Sequence, residues 1–143
     1  MQATGIIAEY NPFHNGHQYH IRQAKKLTQQ PVIVAMSGSF MQRGEPAILS
    51  KWQRAALAVS CGADLVLELP CAFTLRSAEF FAQGGVSLLA ASGCVNALCC
   101  GVESADCDFP ALARIACDAG VQAQLQTLLR QGTSYASAWE QLF

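Results

Sequence analysis

The sequence predicts an α/β fold, a parallel sheet with helices on both faces, and three observations carry that prediction. Four short apolar runs, at residues 4–9, 32–36, 64–69 and 95–100, alternate with stretches of helical period, the order that builds βαβ units. The chain is 52% hydrophobic and 13% charged, about half the charged share of an ordinary soluble domain, as befits strands covered on both faces. The polar segments, 10–17, 37–46, 68–76 and 101–104, all follow strands, and crossover handedness gathers such segments at one sheet edge, where open sheets bind ligands. A length of 143 residues suits a single domain with a sizeable core.

Each element has its own warrant. Residues 4–9 form a run too brief for a helix, and Asn11-Pro12 and Asn15-Gly16 mark a loop over 10–16. From His17 to about Gln29, Ile21, Ala24 and Leu27 recur at helical spacing while Arg22, Lys25 and Lys26 face outward, and Pro31 ends the helix. Residues 32–36 are rich in β-branched side chains, a second strand; 37–49 is a polar, glycine-bearing loop. Ser50 and Gln53 form an S-x-x-Q capping box for a helix over 51–61, with Gly62 as its left-handed stop. Residues 64–69 make a third strand closed by Pro70. A helix over 77–92 is expected to break at Gly84-Gly85 and to stop at Gly93, before a buried fourth strand over 95–100. Asp108 can cap a helix over 110–117, since proline is tolerated in a first turn. Residues 125–130 continue helical, and Ser134 can cap a last piece after Gly132. No fifth strand follows, so the sheet is expected to be truncated after about four strands, with a core over 1–108 and a helical segment over 109–143 leading into a missing C-terminal part.

Charge and cysteine usage narrow the function. A net charge of −1 gives no global pull toward nucleic acid or an anionic membrane. Seven of the nine basic residues lie in the first 76 positions, so a polyanion is expected to approach that half. Seven cysteines with no C-x-x-C pair argue against a metal cluster or disulfide framework; they read as buried reduced thiols in a cytoplasmic protein. No basic n-region precedes an apolar stretch, so no secretory signal is read. The uncharged stretch 83–102 contains four glycines and reads as a helix, a stop and a strand, not as a membrane span.

The chemistry concentrates in Asn11-Pro12-Phe13-His14-Asn15-Gly16-His17, where the first strand gives way to a helix. A helix N-terminus offers unpaired N–H groups and a partial positive charge to phosphate, and Gly16 lets a ligand approach the backbone. His14 and His17 can each donate an imidazole N–H to phosphate oxygens, and can carry charge if protonated. Donors preorganised toward charge that develops on an α-phosphate are a large catalytic effect. Metal binding is not predicted: helical zinc pairs have a spacing of four and a third ligand, unlike His14, His17 and His20. Neither a Walker A loop nor G-x-G-x-x-G occurs.

Residues 6–17 resemble the H-x-G-H signature of the nucleotidylyltransferase superfamily, whose sheet is Rossmann-like. With Gln18-Tyr19-His20, the stretch Met36-Ser37-Gly38-Ser39-Phe40-Met41-Gln42-Arg43-Gly44-Glu45-Pro46-Ala47-Ile48, Lys51-Trp52, Arg54, Gly62-Ala63-Asp64-Leu65-Val66-Leu67-Glu68-Leu69-Pro70 and Cys99-Cys100-Gly101-Val102-Glu103, the chain resembles the bacterial tRNA(Met) cytidine acetate ligase family over about residues 4–104. That resemblance implies ATP-dependent activation of acetate to acetyl-adenylate, then acetylation of N4 of the wobble cytidine of elongator tRNA(Met). It implies ATP lying against Ile7, Ala8, Glu9, Tyr10, Asn11, Pro12, Phe13, His14, Asn15, Gly16, His17, Gln18, Tyr19 and His20, with Gly101 beside the adenosine and His14 and His17 as catalytic phosphate ligands.

Other matched positions keep two readings. Arg43, on the ligand-edge loop with Ser37, Gly38 and Gln42, can hold acetate, a phosphate or tRNA. Lys51 and Arg54, three apart on one helix, can meet a polyanion or form a solvated face. Glu45 can pair with Arg43, and Glu68 reads as a structural acceptor. A magnesium ion with ATP is compatible with these residues but not derivable from them. Family members are considerably longer, their later part supplying further ATP contacts and much of the tRNA surface, so this chain reads as an N-terminal portion inactive alone in full acetylation. Adenylyl transfer to a small phosphorylated cofactor precursor and a non-catalytic nucleotide-binding module stand as alternatives.

Overall fold

The structure is a computed structural model that describes residues 2–102 and 108–142; Glu103, Ser104 and Cys107, which the sequence reading drew on, lie outside the described residues. Four parallel strands, β1 (Ala3–Ala8), β2 (Val32–Ser37), β3 (Leu65–Leu69) and β4 (Val95–Leu98), stand in the order β3-β2-β1-β4. Register runs Ile6 to Val34 between β1 and β2, Val34 to Val66 between β2 and β3, and Gly5 to Leu98 between β1 and β4. The chain leaves β1 in one direction to build β2 and β3, then returns to β1's other side for β4. The strand order therefore reverses at the β1–β4 seam, the place where such sheets bind ligands.

Side chains alternate across a strand, and each face has its cover. Ile6, Val32, Val34 and Met36 pack with Ile21 and Ala24 of α1 (Asn15–Thr28) and Ala58 of α2 (Lys51–Ser60). Ala3, Ile33 and Ala35 pack with Leu89 of α4 (Ala78–Ala91), joined by Ile7 and Leu67. Helices on both faces are thus observed as expected. Only β2 is buried at every position; β3 and β4 are edges with exposed residues such as Leu65 and Leu98, and the expected burial of the fourth strand is corrected accordingly.

Three further local expectations are corrected. Helix α4 runs unbroken through Gly84-Gly85. A Cβ at Gly84 would lie 2.4 Å from Phe73, and one at Gly85 within 2.8 Å of Ile7. The glycines thus admit neighbours to the helix backbone, which offsets their cost of about 1 kcal/mol each against alanine. Pro70 closes β3 as expected, but residues 71–74, read as part of a polar segment, form a short helix, α3 (Cys71–Thr74), started where the Pro70 carbonyl accepts from Phe73 and Thr74 N–H. The described cysteines are free but none is buried; Cys61 and Cys117 occupy helix C-caps and Cys71 a first turn, surface positions set by the helix ends.

Contacts divide the chain into Met1–Gly101 and Val102–Phe143. The second unit, taken by itself, comprises α5 (Phe109–Ala116), α6 (Ala119–Arg130) and α7 (Tyr135–Leu142). Asp108 and Asp118 cap α5 and α6 through Ala111, Gly120 and Val121 N–H, and Leu125 and Ala138 are buried. No helix among the described residues is long and apolar enough to cross a membrane.

Candidate functional site

Beyond β1 the backbone takes an unusual course. Tyr10 is left-handed, at φ 52°, a sterically costly state for a bulky residue that recurs at functional turns. Its buried ring holds it there, packed edge-on to Phe13 at 4.9 Å and tilted against His17 at 4.7 Å. Burial raises the pKa of its hydroxyl, which has no hydrogen-bond partner among the described residues, so the group stays a neutral phenol. The Asn11–Pro12 peptide is cis.

Helix α1 begins at Asn15, two residues before the position expected from apolar spacing, because His14 is its N-cap. The cap is a reciprocal box made from imidazoles. His14 Nδ1 accepts from Gly16 N–H at 3.1 Å, and His17 Nδ1 accepts from His14 N–H at 3.2 Å. The rings stack with centroids 3.6 Å apart. An accepting Nδ1 carries no hydrogen, so each ring bears its hydrogen on Nε2. Burial first, then electrostatic repulsion from the neighbouring imidazoles of His14 and His20, lowers the His17 pKa to about 4. His17 is therefore a neutral donor near pH 7, a refinement of the cationic role its spacing also allowed. Gly16 serves this box directly: a Cβ there would meet His14 Cε1 at 2.9 Å and Nδ1 at 3.1 Å. Its N–H is also committed to His14, which leaves fewer first-turn amides for a ligand than a simple helix terminus offers.

These residues face an open cleft of about 520 Å³ lined by Ile7, Ala8, Glu9, Tyr10, Asn11, Pro12, His14, His17, His20, Cys100 and Gly101, within the roughly 300–1,000 Å³ usual for small-ligand sites. The cleft joins the ends of β1 and β4, the switch point of the sheet. His20 Nε2 is buried without a partner; burial pulls its pKa down, and the Cys99 backbone partly opposes that. Among the described residues no group of three or more His, Cys, Asp or Glu side chains has metal-site geometry.

The loop between β2 and α2 is fastened to the same turn. Glu9 Oε1 accepts from Gln42 N–H at 2.5 Å, and Asn11 Oδ1 accepts from Ile48 N–H at 2.8 Å. Within the loop, Phe40 bridges Pro46 and Gly44 takes φ 85°. Gln42 Nε2 also donates to the Arg76 carbonyl at 2.9 Å.

Ten of the fifteen positions expected against a nucleotide line the cleft, as given above. Phe13 instead packs on Tyr10 and His17, Asn15 and Gly16 form the helix start, Gln18 does not line the cleft, and Tyr19 is 64% exposed. Ser37 is buried, and Gly38 lines a separate small pocket with Glu68. Lys51 is ion-paired with Glu68 at 2.6 Å. Arg43 is exposed and has no pairing with Glu45. Arg54 requires correction: it is fully buried, with its guanidinium on main-chain carbonyls, and so forms neither a solvated face nor a contact surface for a polyanion. The basic surplus of the first half is smaller than its composition suggests, because Arg54 is enclosed and Lys25 and Lys51 are paired with Asp64 and Glu68. Sequence reasoning missed Cys100 as a lining residue; its place just before Gly101 at the end of β4 was the available signal.

The whole chain, residues 1–143, matches the family model described as HIGH nucleotidyl transferase. A tRNA(Met) cytidine acetate ligase of Clostridium acetobutylicum is 49% identical over 139 residues, 94% of this chain and 35% of that protein. One from Lactiplantibacillus plantarum is 56% identical over 114 residues, 79% of this chain and 30% of that protein. The crystal structure of Thermotoga maritima TmcAL bound with alpha-thio ATP is similar with a TM-score of 0.89 at 41% identity, over 99% of this chain and 35% of that one. The chain thus spans about a third of the length of the curated relatives it matches.

Proposed function

The chain belongs to the HIGH nucleotidyl transferase family, and from that premise we propose that it is the nucleotide-binding part of a tRNA(Met) cytidine acetate ligase. The observation that carries the proposal is the histidine capping box, which commits Nδ1 of two cleft-lining imidazoles and leaves their Nε2–H groups as donors at the sheet's switch point. In the proposed reaction an acetate oxygen attacks the α-phosphorus of ATP, the bond to the bridging oxygen breaks, and pyrophosphate leaves. The N4 amine of the wobble cytidine of elongator tRNA(Met) then attacks the acetyl carbonyl; the bond to AMP breaks and the amine loses a proton. The reading is supported by relatives that carry the ligase name and by the likeness to a protein crystallised with an ATP analogue.

In this reading His14 and His17 hold phosphate oxygens by hydrogen bonds that strengthen as charge builds in the transition state. With Nδ1 committed to the cap, His17 acts as a fixed dipole and not as a proton shuttle. Gly101 meets the adenosine, and Arg43, exposed on the ligand-edge loop, meets acetate or tRNA. Any magnesium ion would come with the polyphosphate, because Glu9 is the one acid among the described lining residues and its carboxylate already accepts from Gln42. Further ATP and tRNA contacts come from the part of the relatives beyond the match, and the reaction belongs to the cytoplasm.

The test is isotope exchange between pyrophosphate and ATP in the complete protein. Exchange that requires acetate is expected. Exchange that ignores acetate but requires a phosphorylated cofactor precursor would replace the ligase by an adenylyltransferase. Nucleotide binding with no exchange under either condition leaves a binding module.

A further inference from the structure

Arg54 is the one fully buried charged side chain among the described residues. Taking a guanidinium out of water costs several kcal/mol, so its partners must be strong. Nε donates to Leu49 O at 3.1 Å, Nη1 to Glu9 O at 2.6 Å and Ser37 O at 3.1 Å, and Nη2 to Gly38 O. Among the described residues no carboxylate forms an ion pair with it; burial works against its charge, and Glu9 and Glu68 favour it from farther away. Carbonyls from three separate segments therefore hold it: the end of β1, the end of β2, and the turn before α2. The first segment leads into the histidine loop and the second into the 39–49 loop. Only a planar fork with five donors spans such a set; a lysine presents three donors at one point.

We infer that Arg54 is a positioning residue for the nucleotide cleft, clamping the carbonyl ends of β1 and β2 so that residues 9–17 and 38–49 form one rigid body. The Glu9–Gln42 and Asn11–Ile48 bonds tie the same two loops a second time, through side chains outside the clamp. The nucleotide part of this inference rests on the proposed function; the coupling of the loops does not.

Hydrogen exchange read by mass spectrometry on the complete protein separates the two. In the unsubstituted protein, ATP should slow amide exchange over 39–49 together with 10–17, although 39–49 contributes no residue to the cleft lining; slowing confined to 10–17 overturns the coupling. Without nucleotide, Arg54→Lys should speed exchange at least tenfold in both loops while the interiors of α1 and α4 keep their rates. It should also turn the imidazole ¹⁵N pattern of His14 and His17 from pure Nε2–H to a tautomer mixture, and weaken ATP binding at least tenfold. Faster exchange in one loop alone, or an unchanged imidazole pattern, overturns the role. An unsubstituted protein that binds no ATP refutes the proposed function, and the nucleotide-free arm then decides the coupling. Should Arg54→Lys fail to fold, the ATP-protection arm decides it on the unsubstituted protein.

Discussion

Two helices start at the same sheet edge with the same kind of reciprocal cap. On α2, Ser50 Oγ accepts from Gln53 N–H at 3.3 Å and Gln53 Oε1 accepts from Ser50 N–H at 3.1 Å. On α1 the corresponding pair is His14 and His17. The serine–glutamine box turns its side chains on itself: Ser50 Oγ also donates to Gln53 Oε1. An imidazole has two nitrogens on opposite sides of the ring, so a cap built from it retains a second polar atom for a ligand. The difference teaches that one local motif can be purely architectural or can orient and set the tautomer of rings that line a cleft.

The largest effect expected from breaking this comparison is at His17. Asparagine places an acceptor where Nδ1 lies but has nothing in the position of Nε2. His17→Asn should keep α1 capped, by amide exchange of its first turn, yet weaken ATP binding about 10–100-fold, the equivalent of a lost hydrogen bond to a charged group. His17→Ala should lose the cap as well as the affinity. Equal ATP affinity in His17→Asn and the parent would reduce the box to architecture, like that of α2.

Next in size is a pH effect. The folded pKa of His17, about 4, lies below its ordinary 6.5, so between those values the unfolded chain binds more protons. Stability is then complete above pH 6.5, falls as pH drops toward 4, and loses roughly 2 kcal/mol or less over that window. Denaturant melts across that range should show a steeper slope in the parent than in His17→Asn, where the depressed His20 still contributes. Smaller again, Gly16→Ala should push the His14 ring aside and cost about 1–3 kcal/mol through overpacking, read as a lower melting temperature with a severalfold loss of ATP affinity. The smallest effect on the ligand belongs to Ser50→Ala: about 1 kcal/mol of stability, with nucleotide affinity unchanged by calorimetry.

Much of the fold was legible because strands, caps and stops are local. The apolar runs, the Ser50–Gln53 box and Gly62 with φ 117° stand where short-range chemistry places them. What was misread depends on distant partners. Lys51 and Arg54 look alike by spacing, yet one is surface-paired and the other enclosed, because carbonyls 17 and 45 residues away converge on Arg54. Gly84-Gly85 looks like a break until Phe73 and Ile7 are seen against it. The histidine pair stood out by residue type as a candidate phosphate site, whereas the assignment of the free hydrogen to Nε2 needed the ring geometry.

Cys100 gives the cleft a chemical handle. Its side chain is exposed and lines the cleft beside Gly101, whereas burial and its neighbour Cys100 raise the pKa of the Cys99 thiol and make it the poorer nucleophile. Alkylation of Cys100, followed peptide by peptide, should therefore slow when the cleft is filled and leave the rates at Cys71 and Cys117 unchanged. Labelling that slows in this way would make the thiol a native occupancy sensor, by which ligands are ranked before any product is assayed.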